Sequence, residues 1–566
     1  MTTEPLATAD EDTNATQSTS HSTRRWPHYD WSGTVGAILL AASTFTPSLL
    51  PRAWYLQGLV AGVTGAMGYG VGVVVAWFVR EVTQWHPSPG TRRRAWQVLA
   101  VLGGLTGVIS LYGGWRVQVQ IHELVGVAPP AAYRSVLILL LGTATFVGLV
   151  ALARVLRRFA RWVAKVLRRF FPARLARLVR PLAVVVVTLV VIGLVNGVIF
   201  RAFVSASNAI FSVKDGTTTE GTVQPTATER SGSPSSLIGW NTLGRQGRDF
   251  VGVGPTVADI STFTGQPAME PVRVYAGLQS APTVTDRVNL AINDLQRAGG
   301  FDRKALVVVT TTGTGWVDEA SVDTVEYMYG GDTAIVAMQY SYLPSWISFL
   351  VDQSKAQEAG AALFNGVYDA WAKLPASSRP KLFAFGESLG TFGGETAFSG
   401  LADIRNRTSG IVFAGPPNFN TLWAQLVAGR DAGSPERLPV YQNGQTVRWA
   451  ATPADLSRPT SAWDNPRMVY LQHASDPVVW WSPNLLLHRP DWLSEPRGAD
   501  VSPSMRWLPW ITFWQVSADL AFSTGVPPGH GHVYKQEYVD AWAAVAQPDG
   551  WTADDTTRLR AIIAPH

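Results

Sequence analysis

The chain has 566 residues, of which 46% are hydrophobic and 15% are charged, and it contains no cysteine. The lack of cysteine excludes disulfides, zinc–thiolate sites and a cysteine nucleophile. The net charge is only +5, and the one strongly basic block lies between apolar segments, which argues against a nucleic-acid-binding protein. A mean hydropathy of +0.09 is high for a soluble chain of this length. It indicates a protein that is part membrane-embedded and part water-soluble.

The first third of the chain predicts an all-α transmembrane domain. Residues 1–30 are polar and rich in Ser and Thr, which predicts a disordered cytoplasmic tail. A helix needs about 20 apolar residues to cross a bilayer. Five segments of about this length follow in the predicted domain at 31–205: roughly 32–50, 54–78, 95–115, 135–153 and 182–203. They carry few ionisable residues, which favours an anchor over a transporter and leaves open whether the helices do more.

The positions of Lys and Arg predict the orientation of this domain. Five spans place Arg24, Arg25, Arg92–Arg94 and the loop after the fourth span on one side of the membrane. Positive residues favour the cytoplasmic side, so the remainder of the chain is predicted to be extracytoplasmic. The basic amphipathic segment at 154–180 is expected to lie among anionic lipid headgroups, or else to extend the fourth helix into the cytoplasm.

The rest of the chain predicts a linker at 206–240, rich in Ser, Thr, Gly and Pro, and then an α/β domain at 241–566. Predicted helices cover 283–298, 351–374, 389–402, 419–428 and 536–546. Apolar runs between them predict seven strands: "PVRVYAG", "ALVVVTT", "TAIVAMQY", "KLFAF", "GIVFAG", "RMVYLQ" and "ITFWQV". Continuous apolar strands that alternate with helices indicate a mostly parallel sheet covered on both faces.

A G-x-S-x-G pentapeptide, Gly386 to Gly390, follows the predicted strand "KLFAF" and precedes a predicted helix. This strand–turn–helix context is typical of a nucleophile elbow, in which small residues make room for a strained turn. We therefore predict that Ser388 is a catalytic nucleophile.

A serine nucleophile needs a base and an orienting acid, which follow it in the order acid, then histidine, in this kind of fold. Asp476 lies just past the predicted strand "RMVYLQ" and is the predicted acid, although Asp before Pro also forms turns. The segment "VPPGHGHVYKQEY" offers His532 as the predicted base and His530 as the second choice.

An oxyanion hole requires two backbone N–H groups. The residue after the nucleophile, Leu389, supplies the first in this prediction. The glycine-rich run "TTTGTGW" supplies the second, from Thr314 or its neighbour Gly315, although such a run could also be a simple turn.

Six motifs occur in order along the chain: "TPSLLPRAWYLQG", "TTTGTGWVDEA", "QYSYLPSW", "GESLG", "LQHASDPVVWWSP" and "GHGHVY". From about residue 30 to the C-terminus the sequence resembles bacterial membrane-anchored α/β-hydrolases with a multi-helix N-terminal domain, which are common in actinobacteria. The resemblance implies an α/β-hydrolase fold in which Ser388, Asp476 and one of His530 or His532 form a triad. Related membrane hydrolases are linked to aminoacylated or mycolic-type lipids of the cell envelope.

The resulting hypothesis is a cell-membrane serine hydrolase that cleaves a lipid or envelope ester through an acyl-enzyme, with no metal or cofactor. Membrane lipids and the ester substrate are its expected partners, and nucleic acid is not one. Two alternatives remain open at this point. An acyltransferase would use the same triad with a sugar or lipid acceptor, and a non-enzymatic envelope protein would keep the fold for binding.

Overall fold

The computed structural model describes residues 29–84, 87–167, 169 and 176–564, with the side chains of 176–181 left aside. The predicted tail at 1–30, apart from its last two residues, lies outside the described residues together with Arg24 and Arg25. The same holds for 168 and 170–175 of the predicted basic segment.

All regular secondary structure described in the N-terminal region is helical. Its helices are α1 (Trp31–Ser43), α2 (Trp54–Thr83), α3 (Pro89–Leu124), α4 (Arg134–Leu167), α5 (Ala176–Leu194) and α6 (Phe200–Asp215), and a π-helical turn at Val195–Ile199 joins the last two. Four stretches are long and apolar enough to cross a membrane, namely α2, α3, α4 and Leu182–Asp215. These confirm the predicted all-α membrane-type domain.

The first of the five predicted spans differs from the structure. Helix α1 has 13 residues and is therefore about 20 Å long, short of the ~30 Å hydrocarbon core. Pro47 and Pro51 follow it, and proline cannot donate the backbone hydrogen bond that would continue a helix. The chain between Ser43 and Trp54 is irregular as a result, and part of it packs against the C-terminal domain.

Close glycine contacts hold the bundle together. Helices α1 and α2 run antiparallel, and a methyl group on Gly36 would lie 2.2 Å from the carbonyl oxygen of Gly68. Helix α4 packs on α2 in the same way, since a methyl group on Gly62 would lie 2.8 Å from the Gly142 carbonyl oxygen. Small residues let helices approach closely where burial of apolar surface cannot drive their association.

The C-terminal domain contains a seven-stranded sheet in which every pairing is parallel, in the order β1-β3-β2-β4-β5-β7-β6. Its strands are β1 (Val272–Ala276), β2 (Ala305–Thr310), β3 (Thr333–Met338), β4 (Lys381–Glu387), β5 (Gly410–Ala414), β6 (Val447–Ala450) and β7 (Arg467–Leu471). Nearly every strand residue is buried, so both faces of the sheet are covered. This confirms the predicted fold class.

Thirteen α-helices of this domain are described. They are α7 (Gly244–Gly252), α8 (Val257–Thr264), α9 (Val284–Arg297), α10 (Glu319–Met328), α11 (Ser345–Val351), α12 (Gln353–Ala372), α13 (Leu389–Glu395), α14 (Leu401–Arg407), α15 (Thr421–Ala428), α16 (Pro477–Trp480), α17 (Ile511–Leu520), α18 (Gln536–Ala546) and α19 (Ala553–Ile563).

One predicted strand is wrong. The segment "ITFWQV" begins helix α17 rather than a seventh strand. Its β-branched and aromatic residues have high strand propensity, which explains the prediction. In the structure, Ile511, Gln515 and Asp519 are buried at intervals of four residues, so they form one face of a helix. A six-residue window is too short to reveal that period. The sheet still has seven strands because it contains β6, Val447–Ala450, which the sequence pattern did not predict.

The buried face of α17 receives the irregular segment that follows α1. The Asp519 carboxylate accepts hydrogen bonds from the Leu49 N–H at 3.0 Å and the Ser48 hydroxyl at 3.2 Å. It also forms a 3.2 Å ion pair with Arg52, and the two side chains are 0% and 1% exposed. The Gln515 amide donates to the Thr46 carbonyl oxygen at 2.9 Å. A part of the helical domain is thus built into the C-terminal domain.

We expect Asp519→Ala to lower the free energy of unfolding by roughly 3–5 kcal/mol, because it leaves the Arg52 guanidinium buried without a counter-charge. The thermal unfolding midpoint of the detergent-solubilised chain measures the effect. Asp491→Ala is the matched control, since Asp491 pairs with Arg430 but its side chain is 63% exposed, and such exposed pairs contribute about 1 kcal/mol or less. Equal midpoints for the two variants would contradict the docking role of Asp519.

Candidate active site

Ser388 occupies the single residue between β4 and α13 and has a strained backbone. Its φ is +54° and its ψ is −125°, a region that non-glycine residues enter rarely and at a cost of about 1–3 kcal/mol. The Ser388 N–H donates to the Ala414 carbonyl oxygen at 2.9 Å, which ties the turn to the end of β5. Strain of this kind persists only where the surrounding structure enforces it, and it is concentrated at functional sites.

The two glycines of the pentapeptide have a steric role. A methyl group on Gly386 would lie 2.5 Å from the Gly390 carbonyl oxygen, and one on Gly390 would lie 2.3 Å from the Thr310 carbonyl oxygen. Any larger residue would push the turn away from β2. The G-x-S-x-G spacing is therefore what this strand–turn–helix geometry demands.

His532 and Asp476 form a buried pair. The His532 Nδ1 lies 2.7 Å from the Asp476 Oδ2, and the histidine and aspartate side chains are 6% and 0% exposed. The same Oδ2 accepts a hydrogen bond from the Tyr534 hydroxyl at 2.8 Å, and Oδ1 accepts one from the Val478 N–H at 2.8 Å. These contacts hold the carboxylate in one orientation toward the imidazole.

The other imidazole nitrogen of His532 is available to accept a proton. Nε2 is buried and has no hydrogen-bond partner among the described residues. With the proton on Nδ1 facing Asp476, Nε2 is an acceptor. The imidazole lies against Gly415, where a methyl group would be 2.3 Å from its Cε1. Gly415 directly follows Ala414, whose carbonyl oxygen accepts the Ser388 N–H, so Ser388 and the His532–Asp476 pair both adjoin the carboxyl end of β5.

Burial and the neighbouring carboxylates have opposite effects on the pKa of His532. Burial alone would lower the pKa of His532, but the Asp476 carboxylate, with a smaller contribution from Glu387, raises it above the ordinary value of 6.5. A neutral imidazole is needed to accept a proton from serine. Acidification therefore removes the competent form earlier than it would for an isolated histidine.

A second buried cluster lies beneath the turn and was not found from the sequence. Burial, with a smaller contribution from the neighbouring Asp318 carboxyl, raises the pKa of Glu387 to about 8. The Glu387 Oε2 accepts a 2.7 Å hydrogen bond from the Tyr538 hydroxyl, and Asp318 pairs with Lys535 at 3.2 Å. The raised pKa weakens the negative charge that Glu387, the residue before Ser388, carries near neutral pH.

The second-choice base, His530, points elsewhere. Its side chain is 27% exposed and its Nδ1 lies 3.9 Å from Asp500. Within the described part of the chain it makes no hydrogen bond to Asp476. His473 is also buried nearby, stacked on Tyr534 at 4.2 Å between ring centroids. It supports the loop through its Nδ1, 2.9 Å from the Gly531 carbonyl oxygen.

The predicted oxyanion donors differ in whether their N–H groups are already hydrogen-bonded. The Gly315 N–H donates to the Thr312 carbonyl oxygen at 2.8 Å, so this amide is already engaged in the turn and Thr314 is the better candidate of the two. The N–H groups of Thr314 and Leu389 make no hydrogen bond to a described residue. The turn that holds Thr314 starts beside the Ser388 turn, because Gly390 packs against the end of β2.

Aromatic side chains surround the start of α13. Phe349 of α11 packs with Leu389 and Phe392, and its ring lies 4.8 Å from Phe419 and 5.7 Å from Trp481. No group of three or more His, Asp and Glu residues suited to a metal ion occurs within the described ranges. The chemistry at hand is therefore that of a serine, a histidine and a carboxylate beside an apolar wall.

Comparison with known families gives two matches. The model of a family described as alpha/beta-hydrolase matches residues 272–559. A second model, described as the N-terminus of an alpha/beta-hydrolase family, matches residues 45–255. No curated protein and no solved structure matches the chain.

Proposed function

The chain belongs to the α/β-hydrolase family, and we propose that it is a membrane-anchored serine hydrolase that cleaves a carboxylic ester of a lipid or cell-envelope component. The observation that carries the proposal is the strained backbone of Ser388, with φ at +54°, beside the buried His532–Asp476 pair. A serine held in that conformation at a strand end presents its hydroxyl for attack.

The proposed mechanism is acyl transfer in two steps. His532 Nε2 takes the proton of Ser388 as the serine oxygen bonds to the ester carbonyl carbon, and the amides of Leu389 and Thr314 stabilise the oxyanion. The tetrahedral intermediate collapses, the carbon–oxygen bond to the alcohol breaks, and His532 protonates the leaving alcohol. Water then attacks the acyl-enzyme by the same route, which releases the carboxylic acid and regenerates Ser388.

The position of the site supports a lipid-type substrate. The carboxyl ends of the strands face the helical domain, since Leu50 packs 3.4 Å from the Gly531 methyl position in the His532 loop. Phe203 of α6 lies 6.4 Å from Trp346 of α11, and Phe349 of α11 contacts Leu389. Trp346 is 58% exposed at this junction. One short helix thus lies between the membrane helices and the nucleophile.

We place the helical domain in the cell membrane and the hydrolase domain on its extracytoplasmic side. Arg92–Arg94 begin α3 and Arg157–Lys165 end α4, so both groups lie at the end of the bundle away from the hydrolase domain. Positive charge favours the cytoplasmic side. A membrane-impermeant fluorophosphonate should therefore label Ser388 in intact cells, and labelling only after lysis would reverse the orientation.

The function is tested by product analysis. Purified wild-type protein in mixed micelles with diacyl lipids of envelope type should release free fatty acid, and Ser388→Ala should not. A parallel reaction with an added sugar or glycerol acceptor is analysed by mass spectrometry. Acyl-acceptor product in excess of free acid would establish an acyltransferase instead, and no turnover of any ester by labelled, folded protein would overturn the hydrolase proposal.

A further inference from the structure

The helical domain contains an apolar cavity that the proposed hydrolase chemistry does not use. It has a volume of about 280 Å³ and lies among α1, α2, α3 and α4. Its lining is made of small or apolar side chains apart from a few hydroxyls, and includes Ala37, Ala41, Gly65, Gly107, Gly142 and Phe146. Such a lining offers water few hydrogen-bond partners, so a water-filled cavity is disfavoured.

The cavity extends along the axes of the helices that line it. Its lining runs from Thr34 to Ala42 on α1 and from Gly103 to Leu111 on α3, in each case about 12 Å at 1.5 Å per residue. Half of a ~30 Å hydrocarbon core is about 15 Å. The slot therefore spans most of the depth of one leaflet of acyl chains, and three of the helices that line it are long and apolar enough to cross a membrane.

The end of the slot nearest the hydrolase domain is polar. Past Phe45, Leu111 and Ile138 the slot continues into a narrow neck of about 30 Å³, which is also lined by Arg52, Trp54, Gln57, Trp115, Gln118 and Arg134. Tryptophan is enriched at the headgroup level of bilayers. Arg52 is already paired with Asp519, whereas the exposed Arg134 side chain makes no hydrogen bond or ion pair to a described residue.

We propose that this slot binds one acyl chain of a membrane lipid with an anionic headgroup, and that Arg134 pairs with that headgroup. The bilayer around the bundle supplies acyl chains, which are the only abundant apolar molecules at that depth. The free guanidinium at the neck complements a phosphate. Phe45 and Arg52 belong to the segment that docks on α17, so the bound lipid also buttresses the contact between the two domains.

Two glycines of α3 allow a matched test. A side chain on Gly107 would enter open space, and Gly107 lines the slot. A side chain on Gly104 would also meet nothing within 4 Å, but Gly104 does not line the slot. Leucine is a better helix former than glycine, so Gly107→Leu fills the slot and Gly104→Leu adds the same group on the lipid-facing side.

The experiment uses the full chain carrying Ser388→Ala, so that its outcome is independent of catalysis. The protein is reconstituted in vesicles that contain phosphatidylglycerol with a photoreactive diazirine on one acyl chain, and cross-linked peptides are mapped. We expect cross-links at slot residues of α1, α3 and α4, a loss of at least fivefold in Gly107→Leu, and no loss in Gly104→Leu. Arg134→Gln should reduce cross-linking by phosphatidylglycerol but not by a phosphatidylcholine probe.

Several results would overturn the proposal. Equal cross-linking in the two leucine variants, or cross-links only at outward-facing residues such as Val101 and Val108, would show that the slot takes no specific chain. A slot labelled equally by both probes, unaffected by Arg134→Gln, would refute the headgroup pairing. Failure of the hydrolase proposal would leave all of these readouts unchanged.

Discussion

Replacement of Ser388 by alanine is expected to abolish covalent labelling by a fluorophosphonate and to lower ester turnover by about 10⁴–10⁶-fold. The probe reacts with a serine oxygen only when a neighbouring base removes its proton. Ser388 sits in a strained turn at the same strand ends as His532, whose Nε2 has no partner among the described residues. No other serine is expected to combine these features, so loss of one hydroxyl should eliminate the signal.

The measurement is gel fluorescence of isolated membranes that carry the wild type or a variant. Ser399→Ala is the matched control, because Ser399 lies shortly after α13 and its side chain is exposed. It should label as the wild type does. Labelling that survives in Ser388→Ala would identify another nucleophile. A folded wild type that never labels, even with lipid present, would favour the non-enzymatic binding protein.

The central sheet and the nucleophile turn were predictable because their signals are local. Most of β2 and the centre of β4, residues 382–385, are uninterrupted apolar runs, and the turn needs glycine at fixed positions around Ser388. The sequence alone could not decide whether His530 or His532 is the base, since the two residues share one glycine-rich loop. Their difference arises from tertiary structure, which turns only the second toward Asp476.

The contacts that join the two domains could not be predicted from local pattern. Ser48 and Arg52 bind Asp519, more than 460 positions away, and no periodicity links residues at that separation. The same applies to Glu387, whose raised pKa results from burial and Asp318 rather than from its neighbours in sequence. The sequence could not decide between the Thr314 and Gly315 amides, because a glycine-rich run does not reveal which of its N–H groups closes the turn.

Replacement of Asp476, the proposed acid of the triad, is the second change with a large expected effect. It should alter both the rate and its dependence on pH. Asp476 raises the pKa of His532 above 6.5, and the base must be neutral to act. In the wild type, kcat/KM should therefore rise with pH and reach half its plateau above pH 6.5. Asp476→Asn removes the carboxylate while keeping the shape of the side chain. It should lower kcat by about 10⁴-fold, because the histidine loses its orienting partner and the stabilisation of its charged form.

The pH profile separates this role from simple structural damage. With the carboxylate gone, burial dominates and lowers the pKa of His532, so the ascending limb of the residual activity should move to lower pH. Asp500→Asn is an isosteric control that faces His530, and it should change kcat less than tenfold and leave the limb in place. The opposite pattern, with Asp500→Asn causing the large loss and the shift, would assign the base to His530. A limb that stays unchanged in Asp476→Asn would remove Asp476 from the catalytic set, because a carboxylate 2.7 Å from the imidazole must influence its titration.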